Sequence, residues 1–225
     1  MIWQRLFPGL LETRQVCDGI FAVRDIFVNF YVLKTARGLI CIDTGWSAER
    51  CRSGFETLGM KIQDVTAVYL THLHWDHARN LKLFPGADVF LGEHEFSRTV
   101  PKWFEQLPNP VTKVHDNQEL SANNVRVRVL ETPGHTAGSV TYLVENRFLF
   151  TGDALRLRRG EVRPFYFCFN GNHRAVIHSI KKLANLEEIE CLLTAHTGFT
   201  CDVAKAFGCW REFATGAPLP KGERA

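Results

Sequence analysis

The sequence predicts an α/β fold with two layers of sheet and helices outside. Three observations carry this reading. Short apolar runs rich in β-branched and aromatic residues recur along the chain. Segments of helical periodicity fall between and after them, near Glu49–Leu58, Arg174–Leu186 and Val203–Phe213. The halves also echo each other: Leu39-Ile40-Cys41-Ile42-Asp43 and Phe148-Leu149-Phe150-Thr151-Gly152-Asp153 are apolar strands that end on an aspartate. Sheets packed on each other with helices outside accommodate this order.

In chain order, Ile20–Val23, Phe27–Leu33 and Leu39–Ile42 read as strands, punctuated by Gly19 and Gly38. Asp43-Thr44-Gly45 is a turn leading into the helix near Glu49. Val65–Leu70 is a strand, and His77–Phe84 a short helix closed by Pro85-Gly86. Asp88–Leu91 is a brief strand, with a helix starting near Glu93. Residues 100–118, with Pro101, Pro108 and Pro110, read as a loop. Val125–Leu130 alternates Val and Arg, a strand with one wet face. Val140–Val144 and Arg147–Phe150 form a hairpin around Glu145-Asn146, and residues 154–171 a long connection. Ile189–Leu193 is a strand, Val203–Phe213 a closing helix, and 216–225 a frayed tail. One domain over residues 1–225 is the expectation for this length.

Composition narrows the function. A formal charge of +3 without a Lys/Arg block argues against a nucleic-acid partner. No apolar run approaches the roughly 18 residues of a membrane span, and the start Met1–Pro8 does not read as a secretory signal. A cytoplasmic protein is therefore expected, and its seven scattered cysteines, with no C-x-x-C pair, are expected as thiols. Cys41 and Cys191, inside apolar runs, read as small core residues.

The chemistry is concentrated in His72-Leu73-His74-Trp75-Asp76-His77, directly after an apolar strand. Imidazole and carboxylate at this density suit zinc, iron or manganese. Three further segments repeat one grammar of strand, tight turn and ligand-type residue: Thr132-Pro133-Gly134-His135, Phe150-Thr151-Gly152-Asp153 and Leu193-Thr194-Ala195-His196. Taken singly, His135 can be a turn residue, Asp153 a cap and His196 a core histidine; their joint order makes that combination improbable. His94 and His115 read as surface residues, while His173 and His178 lie near or on the helix after Asn172, where the loop side could turn His173 toward the site against a role outside it.

These four blocks, in this order, resemble the metallo-β-lactamase superfamily: H-x-H-x-D-H, then P-G-H-T-x-G, then G-D, then a final histidine. The resemblance spans roughly residues 18–200 and implies a four-layer αβ/βα sandwich. It implies two divalent metals, zinc by default, with iron or manganese fitting the same donors. His72, His74 and His135 would hold one metal, Asp76, His77 and His196 the other, and Asp153 would bridge them. It also implies metal-bound hydroxide as nucleophile, and Asp43 as a structural support behind the ligands. Two departures stand out: Ala78-Arg79-Asn80 follows His77, and the last histidine sits in Ala195-His196-Thr197.

The chain ends soon after His196, so the C-terminal helical domain of glyoxalase II-type thioesterases is not expected. The remaining pattern is similar to compact lactonases and esterases, and implies hydrolysis of a carboxylic ester, lactone or thioester. A mononuclear iron sulfur dioxygenase and a non-catalytic metal-binding member stay open as alternatives. The substrate is expected to be a small molecule, which the arginines of 156–163 can make anionic by preference. Tyr166 is the candidate donor to the oxyanion, against a plain packing role. Oligomeric state is left open.

Overall fold

The computed structural model describes residues 9–97 and 100–214. The expected tail at 216–225 and the start Met1–Pro8 lie outside them. A seven-stranded sheet follows chain order: β1 (Arg14–Cys17), β2 (Ile20–Arg24), β3 (Asn29–Thr35), β4 (Gly38–Ile42), β5 (Val65–Leu70), β6 (Asp88–Gly92) and β7 (Val111–Val114). Its first four strands pair antiparallel and its last four parallel. The second sheet contains β8 (Glu119–Ala122), β9 (Val125–Glu131), β10 (Val140–Val144), β11 (Phe148–Phe150), β14 (Cys191–Leu193) and β15 (Phe199–Thr200). Its order is β15-β14-β11-β10-β9-β8, with β11 and β14 parallel. Between them in sequence, β12 (Leu155–Arg158) and β13 (Glu161–Pro164) form a separate hairpin.

Period-two alternation sorts the strand residues between layers. Tyr31, Leu33, Ala67 and Tyr69 face Val127, Val129, Val140 and Tyr142 across the inter-sheet core. Their neighbours Phe30, Val32, Val68 and Leu70 point outward onto Phe55, Leu81 and Phe84. On the far side, Leu130, Leu143, Leu149 and Leu192 meet Val176, Ile180, Leu183, Phe207 and Trp210. Both faces of the central strands are covered, so they read as near-continuous apolar runs. The result is helix, sheet, sheet, helix, as expected.

α1 (Ala48–Thr57) is started by Ser47, whose hydroxyl accepts from Arg50 N. α4 (His173–Ala184) is capped in the same way by Asn172 on Ala175 N, and α5 (Val203–Ala214) packs against α4. The metal-motif helix is one α-turn, α2 (Trp75–Ala78), continued as a 3-10 turn over Arg79–Leu83. α3 (Lys102–Glu105) is also a single turn. No helix among the described residues is long and apolar enough to cross a membrane.

The structure departs from the expected elements in six places. β1 is an additional edge strand, and β7 lies within the segment read as a loop. β8 precedes the Val/Arg strand, and the connection 154–171 contains the β12/β13 hairpin. The segment after Glu93 is a 3-10 turn over Glu93–Ser97. Finally, Cys191 and Cys201 form a disulfide, against the expectation of thiols throughout. The register Leu192↔Thr200 explains it, because the next opposed pair is Cys191 and Cys201. Cys17, Cys41, Cys51, Cys168 and Cys209 are free.

Candidate metal centre

Every motif residue leaves the same rim of the sandwich. β4, β5 and β6 run parallel in one sheet, while β9, β11 and β14 share one direction in the other. Their C-terminal ends deliver Asp43, His72–His77, Glu95, His135, Asp153 and His196. The turn into Asp153 depends on Gly152, at φ +51°. A Cβ there would lie 2.4 Å from Thr71 Oγ1, so only glycine allows the two turns to approach.

The predicted ligand atoms converge in three overlapping groups: His72, His74 and His135; His72, His77 and Asp153; Asp76, His77 and His196. Within each, the ligand atoms lie within 4.8 Å of one another. His135 Nε2 is 2.9 Å from His74 Nδ1 and 3.2 Å from Asp153 Oδ2. Asp153 Oδ1 lies 3.2 Å from His196 Nε2 and 3.5 Å from His77 Nε2. Asp76 Oδ2 is 3.4 Å from His196 Nε2 and 3.5 Å from His77 Nε2. Asp153 thus touches both halves of the cluster.

The outer ring nitrogens of His72, His77 and His196 are tied down. Nδ1–H of His77 donates to Asp43 Oδ2 at 2.8 Å, and Nδ1–H of His196 to the Phe27 carbonyl at 2.6 Å. Nδ1–H of His72 donates to Thr71 Oγ1 at 3.1 Å, and the Thr71 hydroxyl passes the contact on to Asp43 at 2.9 Å. Such contacts select the tautomer whose Nε2 lone pair faces inward. Asp43 therefore orients two of the histidines, from a left-handed backbone position at φ 62°.

Fit to a cation follows from what these atoms lack. His72 Nε2, His77 Nε2 and Asp153 Oδ1 are buried without a hydrogen-bond partner. Buried polar atoms are seldom left so, because desolvation is costly. All the donors are imidazole nitrogens or carboxylate oxygens, a set that suits divalent zinc, iron or manganese. Electrostatics agree. Burial alone would raise the Asp153 carboxyl, but His196, His77 and His135 outweigh it and hold it well below its ordinary range. Burial would lower His196, yet Asp153 and Asp76 push it up to about 9. His77 is raised in the same way against its burial, by Asp76, Asp153 and Asp43. His72 has no such carboxylate excess: burial, then its histidine neighbours, push it well down.

Glu95 carries no motif that marks it in the sequence. Its carboxylate accepts from Leu73 N at 3.2 Å and Gly138 N at 3.2 Å, and from the Thr136 hydroxyl. It clamps the turn bearing His72 to His77 against the turn bearing His135. Only its position just after the β6 strand end could have suggested this.

A cavity of about 260 Å³ lies over the cluster, lined by His74, Asp76, His135, Asp153 and His196 and walled by Phe27, Phe165 and Phe169. The Phe165 ring sits 5.2 Å from His135 and 5.4 Å from His196. Tyr166 lines a neighbouring cavity of about 580 Å³ instead, with Arg156, Arg158, Arg159 and Thr197. Arg156 stacks on the Tyr166 ring at 4.6 Å. Arg79 lies over the exposed Trp75 ring at 4.1 Å, on the outside of its turn. His94 and His115 pair with Glu131 and Glu93 at the surface, away from the cluster.

This architecture and this donor set at its strand ends match the metallo-beta-lactamase superfamily, whose family model covers residues 23–196, and the chain belongs to that family. Among curated proteins it is similar to the hydroxyacylglutathione hydrolase of Actinobacillus pleuropneumoniae, 32% identical over 137 residues, 59% of this chain and 52% of that protein. It also resembles the probable polyketide biosynthesis zinc-dependent hydrolase of Bacillus subtilis, 31% identical over 124 residues, 53% of this chain and 51% of that one. The chain thus spans about half the length of these curated relatives. Among solved structures, a metallo-beta-lactamase family protein of Thermus thermophilus superposes with a TM-score of 0.69 at 25% identity, covering 89% of this chain and 81% of that one.

Proposed function

We propose that the chain is a dinuclear metal-dependent hydrolase of carboxylic esters, lactones or thioesters, with thioesters first among them. His72, His74 and His135 would hold one ion, and Asp76, His77 and His196 the other, with Asp153 between. The observation that carries this reading is the convergence of these donors, with orphaned buried atoms, beneath an apolar cavity. Two bound divalent ions, zinc by default, would polarise the scissile carbonyl and supply a nucleophile from water at neutral pH.

The chain's own residues do the rest. Phe27, Phe165 and Phe169 wall the cavity and suit an apolar acyl group while excluding bulk water. Asp76 is only half-buried and lines the cavity. Burial would raise its carboxyl, but His77 and His196 hold it below its ordinary range. Its ionised oxygen can accept the proton of the attacking water. Arg156, Arg158 and Arg159 border the adjoining cavity and suit an anionic leaving group or tail. Similarity to the hydroxyacylglutathione hydrolase supports the preference for thioesters.

The test is a panel of acyl-glutathione thioesters, aryl esters and lactones, assayed on zinc-loaded protein and after chelation, with oxygen uptake recorded alongside. Hydrolysis that chelation abolishes and zinc restores is expected. Full metal loading with no hydrolysis on any member, or with oxygen uptake instead, contradicts the proposal.

A further inference from the structure

Far along β14 from His196, three sulfurs from both sheets meet. Cys17 closes β1, Cys191 opens β14 and Cys201 follows β15. Cys191 and Cys201 are bonded, and Cys17 Sγ lies 3.3 Å from Cys191 Sγ. All three sulfurs fall within 4.8 Å of one another. Exposure is graded: Cys191 is buried, Cys17 half-buried and Cys201 exposed. A thiol thus rests against the inner sulfur of a disulfide whose outer sulfur faces water. Exchange needs a thiolate in contact with one sulfur and a leaving thiolate on the other; the contact is in place, and the Cys17 side chain has to turn into line with the Cys191–Cys201 bond to react.

We propose that Cys17, Cys191 and Cys201 form a thiol–disulfide exchange site open to small thiols and disulfides. The Cys17 thiolate attacks Cys191 Sγ. The Cys191–Cys201 bond breaks, its electron pair leaves on Cys201 Sγ, and the proton lost by Cys17 is returned to Cys201 through solvent. One disulfide exists before and after, so no oxidant or reductant is consumed. The released Cys201 thiol lies at the surface. There it attacks a small-molecule disulfide, forming a mixed disulfide and releasing one equivalent of the small thiol. Burial, and then Glu190, hold the Cys17 thiol above its ordinary value, which makes the exchange slow.

The two forms hold different parts of the fold. With Cys191 bonded to Cys201, the staple closes the hairpin whose turn presents His196. With Cys191 bonded to Cys17, it joins the edge strand of one sheet to the other sheet and leaves that hairpin unstapled.

The experiment is linkage mapping by non-reducing digestion and mass spectrometry, on full-length protein incubated with oxidised and a trace of reduced glutathione, then blocked with an alkylating agent. The wild type is expected to yield both the 191–201 and the 17–191 linkage, with a glutathione adduct on Cys201 in the second form. Cys201→Ser is expected to lose alkylation at Cys17 and Cys191 and gain the 17–191 linkage. Cys17→Ser should show 191–201 alone. Wild type with only 191–201, or a folded Cys201→Ser variant alkylated fully at Cys17 and Cys191, overturns the proposal. So does an extra zinc ion in reduced protein that Cys17→Ser loses, since the three thiols would then be a metal site.

Discussion

Asp43 Oδ2 lies 2.8 Å from Nδ1 of His77 and, through the Thr71 hydroxyl, also governs His72. One carboxylate thereby orients a histidine on each side of the centre. Asp43→Asn keeps the shape but loses one of two acceptor oxygens. Loss of such a supporting contact typically costs about 10–100-fold in metal affinity. A competition titration against a chromophoric chelator should show a drop of that order. Unchanged affinity would mean that His72 and His77 are oriented by other contacts.

Glu95 should matter to stability before it matters to chemistry. It receives three hydrogen bonds from two ligand-bearing turns. Hydrogen bonds to a charged group are each worth about 1.5–3 kcal/mol. Glu95→Gln keeps one acceptor oxygen, so a loss of about 2 kcal/mol is expected in urea unfolding of the metal-free protein. A variant as stable as the wild type would rule out the clamp.

Phe165 and Tyr166 should behave oppositely. Phe165 is buried against His135 and His196. Phe165→Ala should cost about 3 kcal/mol of stability and raise KM most for substrates with large apolar acyl groups. Tyr166 faces the arginine-lined cavity, so Tyr166→Phe should leave kcat unchanged. Losing an oxyanion donor costs about 10²–10³-fold in kcat, and a fall of that size would place the Tyr166 hydroxyl on the reacting carbonyl.

Metal binding should be strongly pH-dependent. In the metal-free protein His196 is raised from 6.5 to about 9 by Asp153 and Asp76 against its burial. Its folded pKa lies above the unfolded value, so its ion pairing stabilises the metal-free fold fully below about 6.5 and is lost as pH rises through about 9. A metal must displace this proton. Apparent affinity should therefore fall about tenfold per pH unit for this proton alone as pH drops below 9. Zinc titrations at several pH values across that window check this; a flat profile contradicts it.

Much of the site could be read from the sequence because each candidate ligand follows its own strand within a few residues. The H-x-H-x-D-H block after Val65–Leu70 and the histidine of Pro133-Gly134-His135 need only strand ends that meet. Glu95 could not be read in this way, since its partners sit 22 and 43 residues away and meet it only through sheet pairing. The Cys191–Cys201 bridge required the β14/β15 register, and β15 is two residues long, too short for any periodicity. β1 and β8 are four-residue edge strands that bring only two apolar residues each to the core, Val16 and Cys17 in one and Leu120 and Ala122 in the other, too few to set up a periodic signal. That Phe165 lines the cavity over the cluster while Tyr166 lines the neighbouring one depends on which side of the chain turns inward after the β12/β13 hairpin, which adjacent aromatics do not encode.

The proposed hydrolysis needs distant turns to assemble one two-ion centre. Metal quantification on zinc-equilibrated, desalted protein tests it most directly. About two ions per chain are expected, as in two-metal sites generally, with about one remaining when Asp76 and His196 are both changed to alanine. A folded protein that retains no metal, or a double variant that keeps the full content, would contradict it.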